Sequence, residues 1–277
     1  MDFFEKAVNS LEGTEDAKYE SCEKKTLKNG KNVLRVKGDF CKAYRLWISC
    51  EKDGELRKLP FNVAQIDVEG NTIISPLLEM LTGGTFLAGE NRYKDGLYEY
   101  VLVGEKGSKK IRKYVHADTN IFNFFATNGK GNFNGLDLDV RPKMNIIINC
   151  IDREDKEWHE ENKKCKLLGN SKTSLGISYG IWKEMVSVGD DYGSIWEYDI
   201  NIKKFIENEK GREITRYRAK RADPDISDLA EFVVIGGLTE EEKKYEEYDV
   251  YEEGKISSAN YILKYLGDRI KEADEVL

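Results

Sequence analysis

The sequence predicts a mainly β protein with α additions, organised around the stretch from Met144 to Asp223. Three observations carry that expectation. Met144 to Asp152 holds Ile146, Ile147, Ile148 and Ile151, a β-branched run that a strand explains better than a helix. Ile177, Ile181, Met185 and Val188 then fall at four- and three-residue steps, one face of a helix closed by Gly189. The period returns to two in Tyr198 to Phe205 and again in Arg212 to Lys220. A polar turn from Asn208 to Gly211 makes these two runs a hairpin. With Lys164 to Leu168 as a short strand, the order becomes strand, strand, helix, hairpin. That is the back half of an OB-fold, a five-stranded Greek-key barrel whose helix lies between its third and fourth strands.

The other elements are extra hairpins and terminal helices around that barrel. Residues 1–23 are expected to form an N-terminal helix or arm, with Phe3, Phe4, Ala7, Val8 and Leu11 along one side. The OB-fold core, with its insertions, is expected over 24–224. Asn32 to Lys37 and Cys41 to Cys50 read as strands around a turn at Gly38 and Asp39. Asp53 and Gly54 make a second turn, and Pro60 to Val68 another strand. Ile73 to Leu81 reads as a helix, with Pro76 in its first turn after Ser75. Thr82, Gly83 and Gly84 resemble a phosphate loop only superficially, because no Gly-Lys-Ser/Thr follows. Leu97 to Val103 and Lys109 to His116 form a hairpin, and Asn128 to Gly135 a loop. Thr239 to Gly254 holds eight acids, two lysines and three tyrosines, and reads as a solvated segment or linker. Ser258 then caps a last helix bearing Tyr261, Ile262, Tyr265, Leu266 and Ile270 on one side.

Composition narrows the function classes. The chain has 277 residues, 40% hydrophobic and 34% charged, which describes a soluble globular protein with a sizeable core. No apolar run is long enough to span a bilayer, and the acidic start lacks the basic region of a signal peptide. A cytoplasmic location follows. Five cysteines without a close pair argue against a disulfide framework or a zinc knuckle. The net charge of −7 is unevenly placed: residues 225–277 carry fifteen acids against six bases, a net of −9, and the rest carries +2. The acidity therefore belongs to the C-terminal segment and leaves room for a basic groove on the body.

Cations interleaved with aromatics on candidate strands give the main functional signal. Cations neutralise phosphates and release counterions, while aromatic faces stack unpaired bases without demanding a sequence. Three clusters qualify: Tyr44, Arg45 and Trp47; Lys109, Lys110, Arg112, Lys113 and Tyr114; and Arg216, Tyr217, Arg218, Lys220 and Arg221. Enzyme chemistry finds less support. Of the two histidines, His159 lies in the charged run Glu157 to Glu161, which reads as an exposed loop. Cys150, His159 and Cys165 match no usual zinc spacing, and no cofactor is implied. Asp137 and Asp139 would be strand neighbours able to hold a divalent ion, but an Asp-x-Asp pair is very common.

Several of these runs together resemble the single-stranded DNA-binding, helix-destabilising proteins of tailed bacteriophages. The resemblance is carried by Met144-Asn-Ile-Ile-Ile-Asn-Cys-Ile-Asp-Arg-Glu-Asp155, by Cys165-Lys-Leu-Leu168 and by Asp191-Tyr-Gly193. It continues through Tyr198-Asp-Ile-Asn-Ile202 and Gly211-Arg-Glu-Ile-Thr-Arg-Tyr217, and Gly30 to Val36, with Arg35, is similar to the family's first strand. It implies a non-enzymatic OB-fold protein that coats and protects single-stranded DNA in phage replication, recombination and repair, in the host cytoplasm. It also implies an acidic C-terminal region that recruits replication and recombination proteins and competes with DNA. The charge split itself predicts that removing Thr239 to Leu277 tightens DNA binding, most visibly at low salt. Self-association on DNA would fit the same role. The alternatives are an OB-like phage scaffold protein that binds other proteins, and a metal-dependent nuclease around Asp137 and Asp139.

Overall fold

The computed structural model describes residues 22–78, 98–103, 109–114, 142–170, 175–222 and 237–276. The protein is mainly β, and it divides into two compact units. One comprises residues 19–42 and 144–254; the other comprises 1–18, 43–143 and 255–277. Residues 225–277, one block by composition, are shared between them. Among the described residues no helix is long and apolar enough to cross a membrane.

The first unit contains the stretch from Met144 to Ala222. Its strands are β1 (Lys24–Thr26), the start of β2 (Val33–Lys52), β7 (Lys143–Asp152), β8 (Lys166–Gly169), β9 (Ile177–Ser178), β10 (Ile200–Glu209) and β11 (Arg212–Arg221). They are ordered β1-β8-β7-β2-β10-β11, with β9 added on β7. β1 and β8 run parallel, and β7 is antiparallel to both β8 and β9. β10 is antiparallel to β2 and to β11. The chain between β1 and β2 curls this sheet. Leu27 still bonds Gly169 beside β8, but Gly30 and Asn32 already exchange backbone bonds with Lys204 and Ile202 of β10. Asn32 holds the bend: its amide donates to Lys28 O and Ile202 O, and its Oδ1 accepts from Lys28 N.

The expected helix, α2 (Tyr179–Tyr192), covers one face of the sheet. Ser178 caps it by accepting from Ile181 N, and Ile181, Met185 and Val188 enter a core with Leu34, Ile148 and Ile200. Gly189 does not end it. The helix runs to Tyr192 and stops at Gly193, whose φ of 83° suits a residue without a Cβ. Two further expectations for this unit are corrected. Residues around His159 form a helix, α1 (Lys156–Asn162), rather than an exposed loop, and His159 is its buried residue.

The second correction is larger: the acidic segment is built into the fold. Residues 238–254 include α3 (Val250–Glu253) and bury Glu242, Tyr245 and Val250. Asn149 on β7 donates to Tyr248 O and accepts from Tyr248 N, at 2.9 and 3.0 Å. Lys37 donates to the carbonyls of Lys243 and Tyr245. A Cβ added at Gly254 would come within 2.7 Å of Cys41 Sγ, so the segment's end fits closely as well.

In the second unit the rest of β2 pairs with β3 (Glu55–Ile66) across a turn at Asp53 and Gly54, both at positive φ. β3 pairs with β4 (Thr72–Ile74), so the expected helix begins only at Pro76, where Ser75 Oγ accepts from Leu78 N. β5 (Tyr98–Val103) and β6 (Lys109–Tyr114) form the expected separate hairpin. The last helix, α4 (Ala259–Val276), is capped by Ser258, and Ile262, Leu266 and Ile270 are buried. The expected N-terminal helix, the Gly83–Gly84 turn, the Asn128 to Gly135 loop, Asp137 and Asp139 lie outside the described residues.

Candidate nucleic-acid interface

Among the described side chains, the β10–β11 hairpin presents a cation-rich face to solvent. Its turn has two residues, Lys210 and Gly211, with φ of 52° and 76°. Positive φ at both positions gives a turn whose twist matches the flanking strands, and it fixes the register. Phe205 thereby lies opposite Arg216, Lys203 opposite Arg218 and Asn201 opposite Lys220. Directly opposed residues share a face of the ribbon. One face therefore carries Lys203, Phe205, Arg216, Arg218 and Lys220 together.

Phe205 is the centre of that face. Lys203 Nζ lies 5.9 Å from its ring centroid and the Arg218 guanidinium 5.6 Å. Lys203, Arg216, Arg218 and Lys220 are exposed, and Phe205 keeps part of its surface in water. Nearer the turn, Arg216 pairs with two carboxylates of β10, Glu207 at 3.5 Å and Glu209 in a direct hydrogen bond. The other face of β11 points to α2. Tyr217 and Ala219 pack on the core there, and burial raises the Tyr217 phenol. Arg221, also exposed, lies over Tyr192 and Tyr198 at 5.4 and 5.9 Å.

The expected site residues thus fall into distinct environments. Arg216, Arg218, Lys220 and Arg221 reach solvent on the hairpin, whereas Tyr217 is half-buried against the core. Arg35 is corrected to an interior role. It is fully buried, and its Nε donates to Asp199 at 2.8 Å. Tyr44 and Arg45 are likewise interior side chains of the other unit. Arg45 Nε donates to Asn62 Oδ1 at 2.8 Å, and burial lowers its guanidinium to about 10. A side chain with no exposed surface offers neither a charge to a phosphate nor a ring to a base. Trp47 is half-buried on β2. Lys109, Lys110, Arg112, Lys113 and Tyr114 lie on β6, and their side chains are outside the described ones.

By its sequence Tyr198 to Phe205 is a structural strand, and Phe205 and Lys203 join the cation cluster only through the pairing of β10 with β11. The signal was present: a two-residue turn at Lys210 and Gly211 dictates the pairing that sets Phe205 beside Arg216 and Arg218. Among the described residues, which do not include Asp137 and Asp139, no cluster of three or more His, Cys, Asp or Glu could hold an ion. His159 Nε2 accepts from Asp152 N and Nδ1 bonds Lys164 O, so both ring nitrogens are occupied. Cys150 and Cys165 are buried free thiols, both raised by that burial.

Comparison with protein-family models, with curated protein sequences and with solved structures finds no match to this chain.

Proposed function

We propose that this chain is a non-enzymatic, single-stranded DNA-binding protein that holds its ligand along the outward face of the β10–β11 hairpin. One observation carries the reading: an accessible phenylalanine set among Lys203, Arg218, Arg216 and Lys220 on one sheet face. Cations placed around an aromatic platform match a ligand that alternates phosphates with flat bases. A duplex hides its bases from such a platform. The order β7, β8, α2, β10, β11 and the curl between β1 and β10 support an OB-type barrel beneath the hairpin.

The resemblance to tailed-phage helix-destabilising proteins gives this binding a setting, the coating of single strands in replication, recombination and repair within the host cytoplasm. Self-association on DNA belongs to that reading. The acidic segment fits a role in recruiting replication and recombination proteins, because Glu240, Glu241, Glu246 and Glu252 remain exposed while Glu242, Tyr245 and Val250 anchor it.

Titration of oligo(dT), oligo(rU) and duplex DNA at 50 and 200 mM salt tests the reading. Oligo(dT) is expected to bind tightest, with an affinity that falls as salt rises by about 0.7 log unit per log unit for each phosphate contacted. Phe205→Ala should weaken binding by ~1–3 kcal/mol, the worth of one stacked base. Equal binding of duplex and single strand, or full affinity in the Phe205→Ala protein, would refute it.

A further inference from the structure

Arg216 differs from the cations around it in what holds it. Its Nε lies 3.5 Å from Glu207, and its Nη2 donates to Glu209. Both carboxylates come from the adjacent strand β10 and alternate on the same face as Phe205, with Glu207 opposite Ile214 and Glu209 opposite Arg212. The three side chains stay about half exposed, at 46%, 42% and 48% for Arg216, Glu207 and Glu209. Oxygens placed around the edge of a guanidinium reproduce the way a phosphate engages arginine. Exposed ion pairs of this kind are weak and screened by salt, so a phosphate entering the face competes with them directly.

We infer that Glu207 and Glu209 serve as a built-in phosphate surrogate, which occupies Arg216 and ends the nucleic-acid track short of the hairpin turn. The inference rests on the proposed hairpin site and adds its boundary. Toward the body, Lys203, Arg218 and Lys220 stand clear of these carboxylates along the same face. Toward the turn, a phosphate at Arg216 must displace two oxygens and approach two negative charges. The carboxylates thereby lower affinity at one end of the track and favour a ligand seated around Phe205. The surrogate also makes the hairpin less prone to hold any polyanion indiscriminately.

The test uses the full chain and oligo(dT), with Glu207→Gln/Glu209→Gln, Arg216→Gln and the triple variant beside the parent. All three side chains are about half exposed, so matched melting temperatures are expected to show a common fold. The Glu-to-Gln double variant should bind tighter than the parent. Its salt dependence should steepen by about 0.7 log unit per log unit, the worth of one added phosphate contact to a single strand. Its advantage therefore shrinks about threefold between 50 and 200 mM salt. In the Arg216→Gln background the same two substitutions should give little gain, since the cation they release is gone.

An unchanged slope in a parent that binds well overturns the inference while leaving the hairpin site intact. An undiminished gain in the Arg216→Gln background also overturns it, because the carboxylates would then repel DNA without acting through Arg216. A parent that binds oligo(dT) without salt dependence, or does not bind it, overturns both the site and its boundary.

Discussion

At the scale of single residues, His159 shows how a charged neighbourhood can conceal an interior position. Glu157, Glu160 and Glu161 surround it in sequence, yet the helix turns them to solvent and the imidazole inward. Asp152 N can only donate, so Nε2 must accept and Nδ1 carries the proton that Lys164 O receives. Tyr245 stacks 5.9 Å away, and the nearby charges are Asp152, Asp155 and Lys166. Burial holds the ring below the usual histidine value of 6.5, and Lys166 adds to the effect. With the folded value depressed, the unfolded chain takes up the proton first as pH falls. Stability from this residue is complete above about 6.5 and declines below it, until the folded ring itself titrates. Urea midpoints are expected to fall between pH 7 and pH 5.5, and His159→Gln should flatten that part of the profile. Carboxylates held low, such as Glu242 with its hydrogen bonds from Arg153 and Thr239, titrate in a more acidic window.

Among the elements, the hairpins were legible in sequence and the acidic segment was not. Period-two alternation, a glycine in the turn and β-branched residues announce β10 and β11, because local chemistry alone defines a ribbon. The acidic segment averages to a solvated composition, and its anchors are few and scattered. Glu242 is the chief of them. Arg153 donates to it and, through Nε and Nη2, to Asp199, which also takes the bond from Arg35. Such a network of buried charges gives no sequence pattern, since its members come from β2, the residue after β7, the residue before β10 and the segment itself. Truncation before Thr239 therefore should not simply free the hairpin for DNA, as composition suggested. It strips Glu242 from Arg153 and both carbonyls from Lys37, and breaking a buried pair in this way costs ~3–5 kcal/mol. The truncated chain is expected to melt earlier and to be cut faster by protease. Competition by the segment's charge is better measured by neutralising the exposed Glu240, Glu241, Glu246 and Glu252, which keeps the anchors.

For the whole molecule, the mainly β class and the strand, strand, helix, hairpin order were readable because each strand is written in its own residues. The division into units was not. Composition changes near residue 225, whereas the contacts assign residues 43–143 and 255–277 to one unit and leave 144–254 in the other. β2 runs for 20 residues from Val33 to Lys52 and supplies strand to both units, so no linker marks the crossing at Ala43. The partners of a strand are likewise invisible in its own sequence. Nothing near Lys24 foretells a parallel neighbour at Leu167. The same limit applies to the candidate site: the hairpin cations could be found locally, while the burial of Arg35, Tyr44 and Arg45 depends on chain far away.

The bend from Leu27 to Asn32 has a consequence in time. Asn32 bonds Ile202 across 170 residues, and Lys204 reaches Leu27 across 177. A chain leaving the ribosome must complete β10 before β2 gains that neighbour, and must carry an unpaired edge until then. Loops of this length also slow closure in refolding, where non-local strand pairing places folding in the milliseconds-to-seconds class or beyond. Trp182 and Trp196 pack around Phe40, with Trp182 only 4.7 Å from its ring, so their fluorescence reports the moment the two distant parts of the chain meet. Stopped-flow refolding is expected to show that signal arriving after most of the β-sheet ellipticity, and a hydrophobic dye should bind in the interval. Simultaneous arrival would mean that the strap forms along with the strands it joins.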